Sequence, residues 1–377
     1  MLLSRKIKLY PNNKQKTFFH KCANISNFSY NYAINKVKEY YSKEMKWNDS
    51  IIRKELTQDK KKEEFRFLSE VSCDIPKQAI KDACLAYKMF FKKVGKYPKY
   101  KGYKSKLSFY IDSYKIKFDN LKVQIPTLKN KVKIAEPIIA KNGKDMKNIR
   151  ISFDGLNWYL TYSYEIDFKT EYKTTKEILG IDVGIKTYAT LSDGSTFCYN
   201  KNKVNLLYKR QKRIKRKLSK YYLKIKNYTM KGGMSLKSNN ICKKEIKLKK
   251  LYKKINNINN EFIHKTTNDI ISKNPKGIVV EDLNIKGMIK NHKLSKSIII
   301  NSFNKFITTL SYKCSKNNIN LIKADRFYPS TQMCSNCGNV KLKEDKLTLK
   351  DRIYECKCCG FKEDRDLNAA INLSKLV

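Results

Sequence analysis

Negative charge is scarce in this chain. Only 34 Asp and Glu stand against 82 Lys and Arg, a formal net charge of +48 over 377 residues. Self-repulsion on that scale opposes a compact state unless a polyanion offsets it, and nucleic acid is the polyanion that fits best. A membrane surface is the plainer rival. Long apolar runs are missing too. Stretches such as SIIINSF last only a few residues, which excludes a bilayer-spanning helix. The first residues, MLLSRKIKLYPNNK, hold no signal-peptide core. Histidine is nearly absent: His20, His264 and His292 all lie upstream of the C-terminal cysteines. Any metal site there must therefore be all-cysteine.

Cysteine itself is plentiful, with eleven in the chain. Cys22, Cys73, Cys84, Cys198, Cys242 and Cys314 are scattered, and the other five crowd into 334–359. Such a set invites mispaired disulfides outside a reducing compartment, so a cytoplasmic location is expected. CSNC places Cys334 and Cys337 two residues apart, CKCC offers Cys356 and Cys359 at the same spacing, and 18 residues separate the pairs. That is the double-pair pattern of tetrahedral zinc, with Gly338 and Gly360 freeing the backbone just after each pair. Four thiolates close the coordination shell, so such a zinc is structural. Unligated thiols are the alternative reading, and Cys358 is a spare.

The length and a hydrophobic fraction of 41% suggest two or three domains. LLSRKIKLY reads as a strand. Residues 13–95 read as helical, with apolar stripes at Phe18, Cys22, Ile25 and Phe28 and at Ile80, Ala83, Tyr87 and Phe90. GKYPKYKGYKSK (95–106) is a basic loop. FYIDSYKIKF, KVQIP, KVKIAE and IRISFDGLNWYLTYSYEI alternate as strands, the last with a turn at Gly155. Together they predict a small barrel or curled sheet, with the helical segment inserted after its first strand. ILGIDVGIKTYATLSDGSTFCYN reads as two strands joined at Asp193-Gly194.

Residues 201–260 carry 21 Lys and Arg and one acid, Glu245. Stripes at Ile214, Leu218, Tyr221 and Ile225, and at Leu248, Leu251, Ile255, Ile258 and Phe262, predict a helical hairpin broken at KGGMS. Its basic outer face suits a polyanion, because merely solvated faces usually mix signs. A helix at 259–273, the strand KGIVVEDLN, a helix at 302–316 and the strand INLIKADR complete an α/β region over 174–330.

Three carboxylates stand out. Asp182 is read in mid-strand between Ile181 and Val183, with Gly180 and Gly184 leaving room around it. Glu281 ends GIVVE. Asp366 precedes LNAAINL, whose small residues allow a helix to lie close to a sheet. Each has a plainer reading: a strand-end acid before a turn, a solvated terminus, a helix cap. Convergence on two Mg2+ ions would account for all three.

GIDVGIKTYATLSDG, VVEDLNIKGM and FYPSTQMCSNCG with YECKCCGFKEDRDLNAAINL resemble the three RuvC motifs and zinc ribbon of TnpB proteins, the transposon-encoded, OrfB-type RNA-guided nucleases. KIKLYPNNKQKTFF, YNYAINKV and GKYPKYK are similar to the same family. The resemblance implies a multidomain α+β chain. Residues 1–10 and 96–173 would form a wedge-like β-barrel holding a helical recognition insertion at 11–95. Residues 174–330 and 360–377 would form an RNase H-like (RuvC) α/β domain, carrying the basic hairpin 201–260 and interrupted by a four-cysteine zinc ribbon at 331–359.

It further implies Asp182, Glu281 and Asp366 as the catalytic, Mg2+-binding triad, with the D-x-N-A-A frame selecting Asp366 over Asp364. Cys334, Cys337, Cys356 and Cys359 would bind structural zinc. The implied activity is RNA-guided cleavage of double-stranded DNA beside a short motif, by two-metal hydrolysis with one site. The partners would be a transposon-derived guide RNA and target DNA. The protein would be a cytoplasmic, nucleoid-associated prokaryotic monomer with no membrane partner. The hairpin and the 95–106 loop are the expected backbone contacts. The aromatics of YKGYKSKLSFY would either stack on bases or fill the barrel core. Two alternatives remain open: a nuclease-silent RNA-guided repressor, and an RNase H-like strand-transfer transposase that needs no RNA. The chain stops at Val377, just after the last motif, a shorter end than some relatives have and one with a possible bearing on target-strand loading.

Overall fold

The alternating LLSRKIKLY forms strand β1 (Leu2–Tyr10), with Ile7 and Leu9 turned into a core and Tyr10 outward. The computed structural model describes residues 2–376 except 103, 139–145, 166–174, 176, 231–236, 293, 343–344 and 349–350. The KGGMS break, Tyr103 and the far end of the predicted barrel segment lie outside the described residues. The chain divides into two units, Met1–Asp167 and Phe168–Val377.

In the first unit β1 leads into α1 (Asn13–Ser42). Asn12 and Gln15 satisfy each other's backbone N–H in a capping box there. Helices α2 (Asp49–Asp59) and α3 (Asp74–Phe91) follow, with a 3-10 segment at Glu63–Glu70 between them. The predicted stripes face inward: Cys22, Ile25, Ile80, Ala83 and Tyr87 are buried, and Phe18, Phe28 and Phe90 half-buried.

The chain then adds β2 (Ser108–Tyr110), β3 (Lys117–Asp119), β4 (Lys122–Gln124), β5 (Val132–Ile134), β6 (Met146–Phe153) and β7 (Trp158–Glu165). They form one antiparallel sheet in the order β2-β6-β7-β1-β5-β4-β3. Its ladder does not close between β2 and β3 among the described residues, so it is a curled, open sheet rather than a closed barrel. β1 sits near its middle, between β5 and β7, so the strand first in sequence organises those that follow the helices.

FYIDSYKIKF is not one strand. It breaks at Ser113–Lys115, where Lys115 Nζ reaches the buried Asp74 carboxylate at 2.7 Å, tying this turn to the start of α3. Of the aromatics in the basic loop region, Phe109 is core, whereas Tyr100 is half exposed beneath Lys38. Asn31 holds the loop through both backbone polar groups of Lys101.

The second unit opens with β8 (Ile178–Asp182), β9 (Ala189–Leu191) and β10 (Thr196–Phe197). These are three short strands where two were expected. Asp193-Gly194 turns β9 into β10, with Gly194 at φ 83°. A tighter return at Gly184, whose N–H meets Tyr188 O, separates β8 from β9. Asp182 is therefore the last residue of its strand, not in mid-strand.

Helices α4 (Lys201–Met230) and α5 (Asn239–Ser272) make the basic hairpin. The helix expected at 259–273 is simply the end of α5, because the apolar stripe runs through Ile255, Ile263 and Ile270 without a break. Tyr221 is exposed rather than on the seam. After α5 come β11 (Gly277–Glu281), α6 (Ile285–Lys290), α7 (Ser295–Asn301), α8 (Phe303–Lys316) and β12 (Asn320–Ala324). Lys313 of α8 is buried and donates to His264 O, Thr267 Oγ1 and Asn268 Oδ1, pinning α8 on α5. The sheet order is β10-β9-β8-β11-β12. The first three strands are antiparallel, and β8, β11 and β12 are parallel. A two-stranded ribbon, β13 (Ile353–Glu355) and β14 (Lys362–Asp364), runs straight into α9 (Arg365–Ser374). No helix among the described residues is long and apolar enough to cross a membrane.

Candidate active site

Parallel pairing sets the first two carboxylates side by side. β8 and β11 are in register through Ile181 and Val280. The next residues, Asp182 and Glu281, thus end neighbouring strands at the carboxyl edge of the sheet, where open α/β sheets bind their ligands.

The third carboxylate arrives on α9, and glycine makes that approach possible. A Cβ on Gly180 would lie 1.9 Å from Ala370 O and 2.6 Å from Ser374 N, so the helix rests on the strand backbone itself. Gly180 and Asp182 are two apart in a strand and face the same side. The helix seated on Gly180 therefore presents its first turn, with Asp366, toward the Asp182 end.

The electrostatics agree with this proximity. Burial first, then the charges of Glu281 and Asp366, push the Asp182 carboxyl to about 8, while Arg365 and the Val183 N–H pull the other way. Ser330 Oγ donates to Glu281 Oε1 at 2.6 Å. Arg365 Nη2 lies 3.1 Å from Asp366 Oδ1, and Arg352 Nη1 lies 3.8 Å from its other oxygen. The three carboxylates are close enough for their charges to act on one another, and hard oxygen donors of this kind suit divalent cations such as Mg2+.

Asp364 has a different task. It is the N-cap of α9, and its exposed carboxylate accepts from Asp366 N and Leu367 N at 2.9 and 3.1 Å. Asp364→Ala is expected to lower stability by about 1 kcal/mol, the ordinary loss of an N-cap. Thermal or urea melts of the two proteins check this, and an unchanged midpoint would count against it.

The four cysteines come together without rearrangement. Their Sγ atoms all lie within 4.8 Å of one another, and among the described residues that closeness of metal-ligating groups is found in this set alone. Cys334 and Cys359 are 3.7 Å apart, Cys337 and Cys356 3.6 Å. A tetrahedron with Zn–S bonds near 2.3 Å has edges of about 3.8 Å, so the set fits zinc. Each pair sits on the same knuckle: Gly338 N meets Cys334 O and Gly360 N meets Cys356 O, both at 2.9 Å, with both glycines at positive φ. Tyr354, fully buried, and Phe361 fill the ribbon's own small core. Cys358 is exposed and outside the set. Buried Cys22, Cys84 and Cys314 are pushed up to about 12, 11 and 12 by desolvation, as inert core thiols are.

Residues that the motif reading passed over tie these parts together. The i, i+4 pair Asn368 and Asn372, buried on α9, bonds the start of the ribbon. Asn368 Oδ1 accepts from Ser335 N, and Asn372 Nδ2 donates to Ser330 O and Met333 O. Arg365 Nη1 donates to Thr348 O and Asp351 O. Two asparagines four apart on the apolar side of a helix were the visible signal, since a buried amide requires partners.

The mixed α/β fold is shared with a protein of known structure. The chain superposes on Cas12f1 in the cryo-EM structure of a Cas12f1–sgRNA–target DNA complex with a TM-score of 0.57, covering 97% of this chain and 83% of that one at 14% identity. Three family models match in turn: a helix-turn-helix domain of the OrfB_IS605 group over residues 1–46, the probable transposase OrfB_IS605 over 161–292, and the Cas12f1-like TNB domain over 303–373. The first of these spans β1 and the single helix α1 rather than two helices. A putative RNA-guided DNA endonuclease of Streptomyces pristinaespiralis is 28% identical over 98% of this chain and 87% of its own. The putative RNA-guided DNA endonuclease InsQ of Escherichia coli K12 is 26% identical over 98% and 90%. The chain is thus similar, segment by segment, to the OrfB_IS605 and Cas12f1-like family models and, over nearly its whole length, to relatives named putative RNA-guided DNA endonucleases.

Proposed function

We propose that the protein is an RNA-guided DNA endonuclease of a transposable element, cutting double-stranded DNA next to a short motif at one carboxylate site. The observation that carries this reading is geometric: Asp182 and Glu281 end adjacent parallel strands, and a helix seated on Gly180 adds Asp366. The relatives named as RNA-guided DNA endonucleases support it over nearly the whole chain. In this reading the second unit is an RNase H-like (RuvC) domain with a zinc ribbon at 331–359. Residues 1–10 and 96–173 form a wedge, and 11–95 a recognition insertion.

Asp182, Glu281 and Asp366 would hold two Mg2+ ions, which when bound supply an activated water and stabilise the leaving 3′-oxygen. The chain's own part is positional. Asp182 feels the charges of both other acids, Ser330 fixes the Glu281 carboxylate, and Arg365 and Arg352 flank Asp366. Such a site takes one strand at a time, so a guide RNA must open the duplex and read the target by pairing while protein reads the adjacent motif. The basic hairpin α4–α5 is the proposed backbone contact. Its lone acid between 201 and 260, Glu245, is engaged by Lys237 at 2.7 Å and by Tyr222. The protein is proposed to act as a cytoplasmic monomer on nucleoid DNA.

The deciding experiment is to sequence the RNA that copurifies with protein expressed with its native genomic flanks, then test that complex for Mg2+-dependent cutting of matched DNA. A discrete RNA and guide-dependent cleavage are expected. Guide-dependent binding without cleavage would replace the reading by a repressor. Strand transfer of isolated element ends without RNA would replace it by a transposase.

A proton and a cation should compete at Asp182. The fold keeps a proton there that the unfolded chain sheds near the ordinary carboxylate pKa of about 4. Without cation, this group's contribution favours the fold at low pH and is lost as pH rises toward about 8. Mg2+ needs the deprotonated form, so its stabilisation grows over the same range. Melts with and without Mg2+ from about pH 5 to pH 8 should show a widening gap; a gap independent of pH would contradict the assignment.

A further inference from the structure

We propose that Ser330, Asn368 and Asn372 are positioning residues that lock the first cysteine knuckle to the helix bearing Asp366 and to the strand end bearing Glu281, so that the four-cysteine site controls the geometry of the carboxylate site. The proposal rests on the carboxylates being a cation site.

The polar path is continuous. The knuckle begins at Cys334. On one side of that cysteine, Met333 O accepts from Asn368 Nδ2 and Asn372 Nδ2 at 2.8 and 2.7 Å. On the other side, Ser335 N donates to Asn368 Oδ1 at 2.9 Å, and Ser335 O accepts from Lys375 Nζ. Four residues before the cysteine, Ser330 O accepts from Asn372 Nδ2 at 2.8 Å, while the Ser330 hydroxyl donates to Glu281 at 2.6 Å. Asn368, Asn372, Ser330 and Ser335 are all at most 5% exposed.

Each partner is one that water cannot readily replace at such burial, and the amides use donor and acceptor in fixed directions. The opposite side of the same helix turn is committed to the sheet, where Ala370 O covers Gly180. α9 is thereby held between two rigid bodies, and only the asparagine side depends on the knuckle keeping its shape. Zinc sets that shape by fixing Cys334 and Cys337 against Cys356 and Cys359. Removing it frees the 330–335 segment, and both Asp366, through α9, and Glu281, through Ser330, lose their reference.

The test uses the full chain with its copurified RNA. Zinc is stripped with a chelator, and amide hydrogen exchange is followed by mass spectrometry. Exchange across 365–374 is expected to speed up at least tenfold, with β8 and β11 unchanged. In parallel, Mn2+ affinity is titrated by electron paramagnetic resonance on Ser330→Ala and Asn372→Ala proteins that retain zinc. Each should weaken Mn2+ binding at least fivefold when measured well below its own melting temperature, and Ser330→Thr, which keeps the hydroxyl, should recover most of the loss. Unchanged exchange in α9 after zinc removal overturns the proposal, as does Mn2+ affinity equal to wild type in both alanine proteins. If wild type binds Mn2+ and shows the coupling yet never cuts guided DNA, the nuclease reading fails and this one stands. If wild type binds no Mn2+, the cation-site premise fails, and the proposal with it.

Discussion

Asp182→Ala should reduce cleavage of guide-matched DNA by roughly 10^3-fold or more while leaving guided binding within a few-fold of wild type. Cations at a phosphodiester supply several kcal/mol of transition-state charge stabilisation, and about 4 kcal/mol corresponds to three decades of rate. Asp182 feels the charges of both other acids, so its loss would remove a cation-holding group of the proposed site. In the proposed reading, binding would be carried elsewhere, by the basic surface and by base pairing. The substitution also removes a half-buried carboxylate that feels two like charges, so the metal-free protein should be no less stable, which a melt checks. Asp366→Asn should act in the same direction, whereas Asp364→Ala should cut DNA at near wild-type rate, because that carboxylate is spent on the helix cap. Gel-based cleavage and filter binding on the three proteins separate these outcomes. Equal loss at 364 and 366, or full activity in Asp182→Ala, would remove the triad assignment.

Loss of the ribbon metal should be as severe by a different route. Structural zinc supplies roughly 10–16 kcal/mol of apparent binding free energy in finger-sized modules. This ribbon has little else: two three-residue strands and a small core around Tyr354. Cys356→Ser should therefore release about one zinc per chain, unfold 331–364 and abolish cutting. Metal analysis, melting and cleavage would be measured together. A protein that lost zinc but kept both its melting profile and its activity would show that the four-cysteine set is dispensable. The closed shell leaves no open position for substrate, so the effect must pass through structure.

The two sites differed in how openly the chain displayed them. The four-cysteine cluster was legible because both pairs are local: a C-x-x-C knuckle is closed within five residues, and only one long-range step, joining 334–337 to 356–359, was needed. The carboxylates were legible only as a motif resemblance. Nothing local to Asp182 distinguishes a strand-end acid from a ligand; pairing with β11, a hundred residues later, puts Glu281 beside it. Asp364 and Asp366 are indistinguishable by composition, and the α9 N-terminus separates them, one bonding backbone N–H groups and the other facing Asp182. Gly180 read as spare room, and proved to be the contact point of a helix 190 residues away in sequence.

Sequence alone thus determined the features that arise from short-range chemistry. These are the polyanion-seeking charge, the amphipathic helices of the first unit and the hairpin, the turns at Gly155 and Asp193-Gly194, and the cysteine knuckles. Each depends on residues within a few positions of one another or on a simple sum over the chain. Tertiary structure alone decided that β1 lies mid-sheet, that FYIDSYKIKF breaks where Lys115 reaches Asp74, that the first sheet's ladder is open among the described residues, and that Ser330, Asn368 and Asn372 bind the ribbon to the carboxylate helix. Those outcomes turn on which buried polar group finds which partner across the fold, and a hydrogen bond between residues 49 or 159 positions apart, as at Ser330–Glu281 or Ser4–Ser163, leaves no periodicity in the sequence to read.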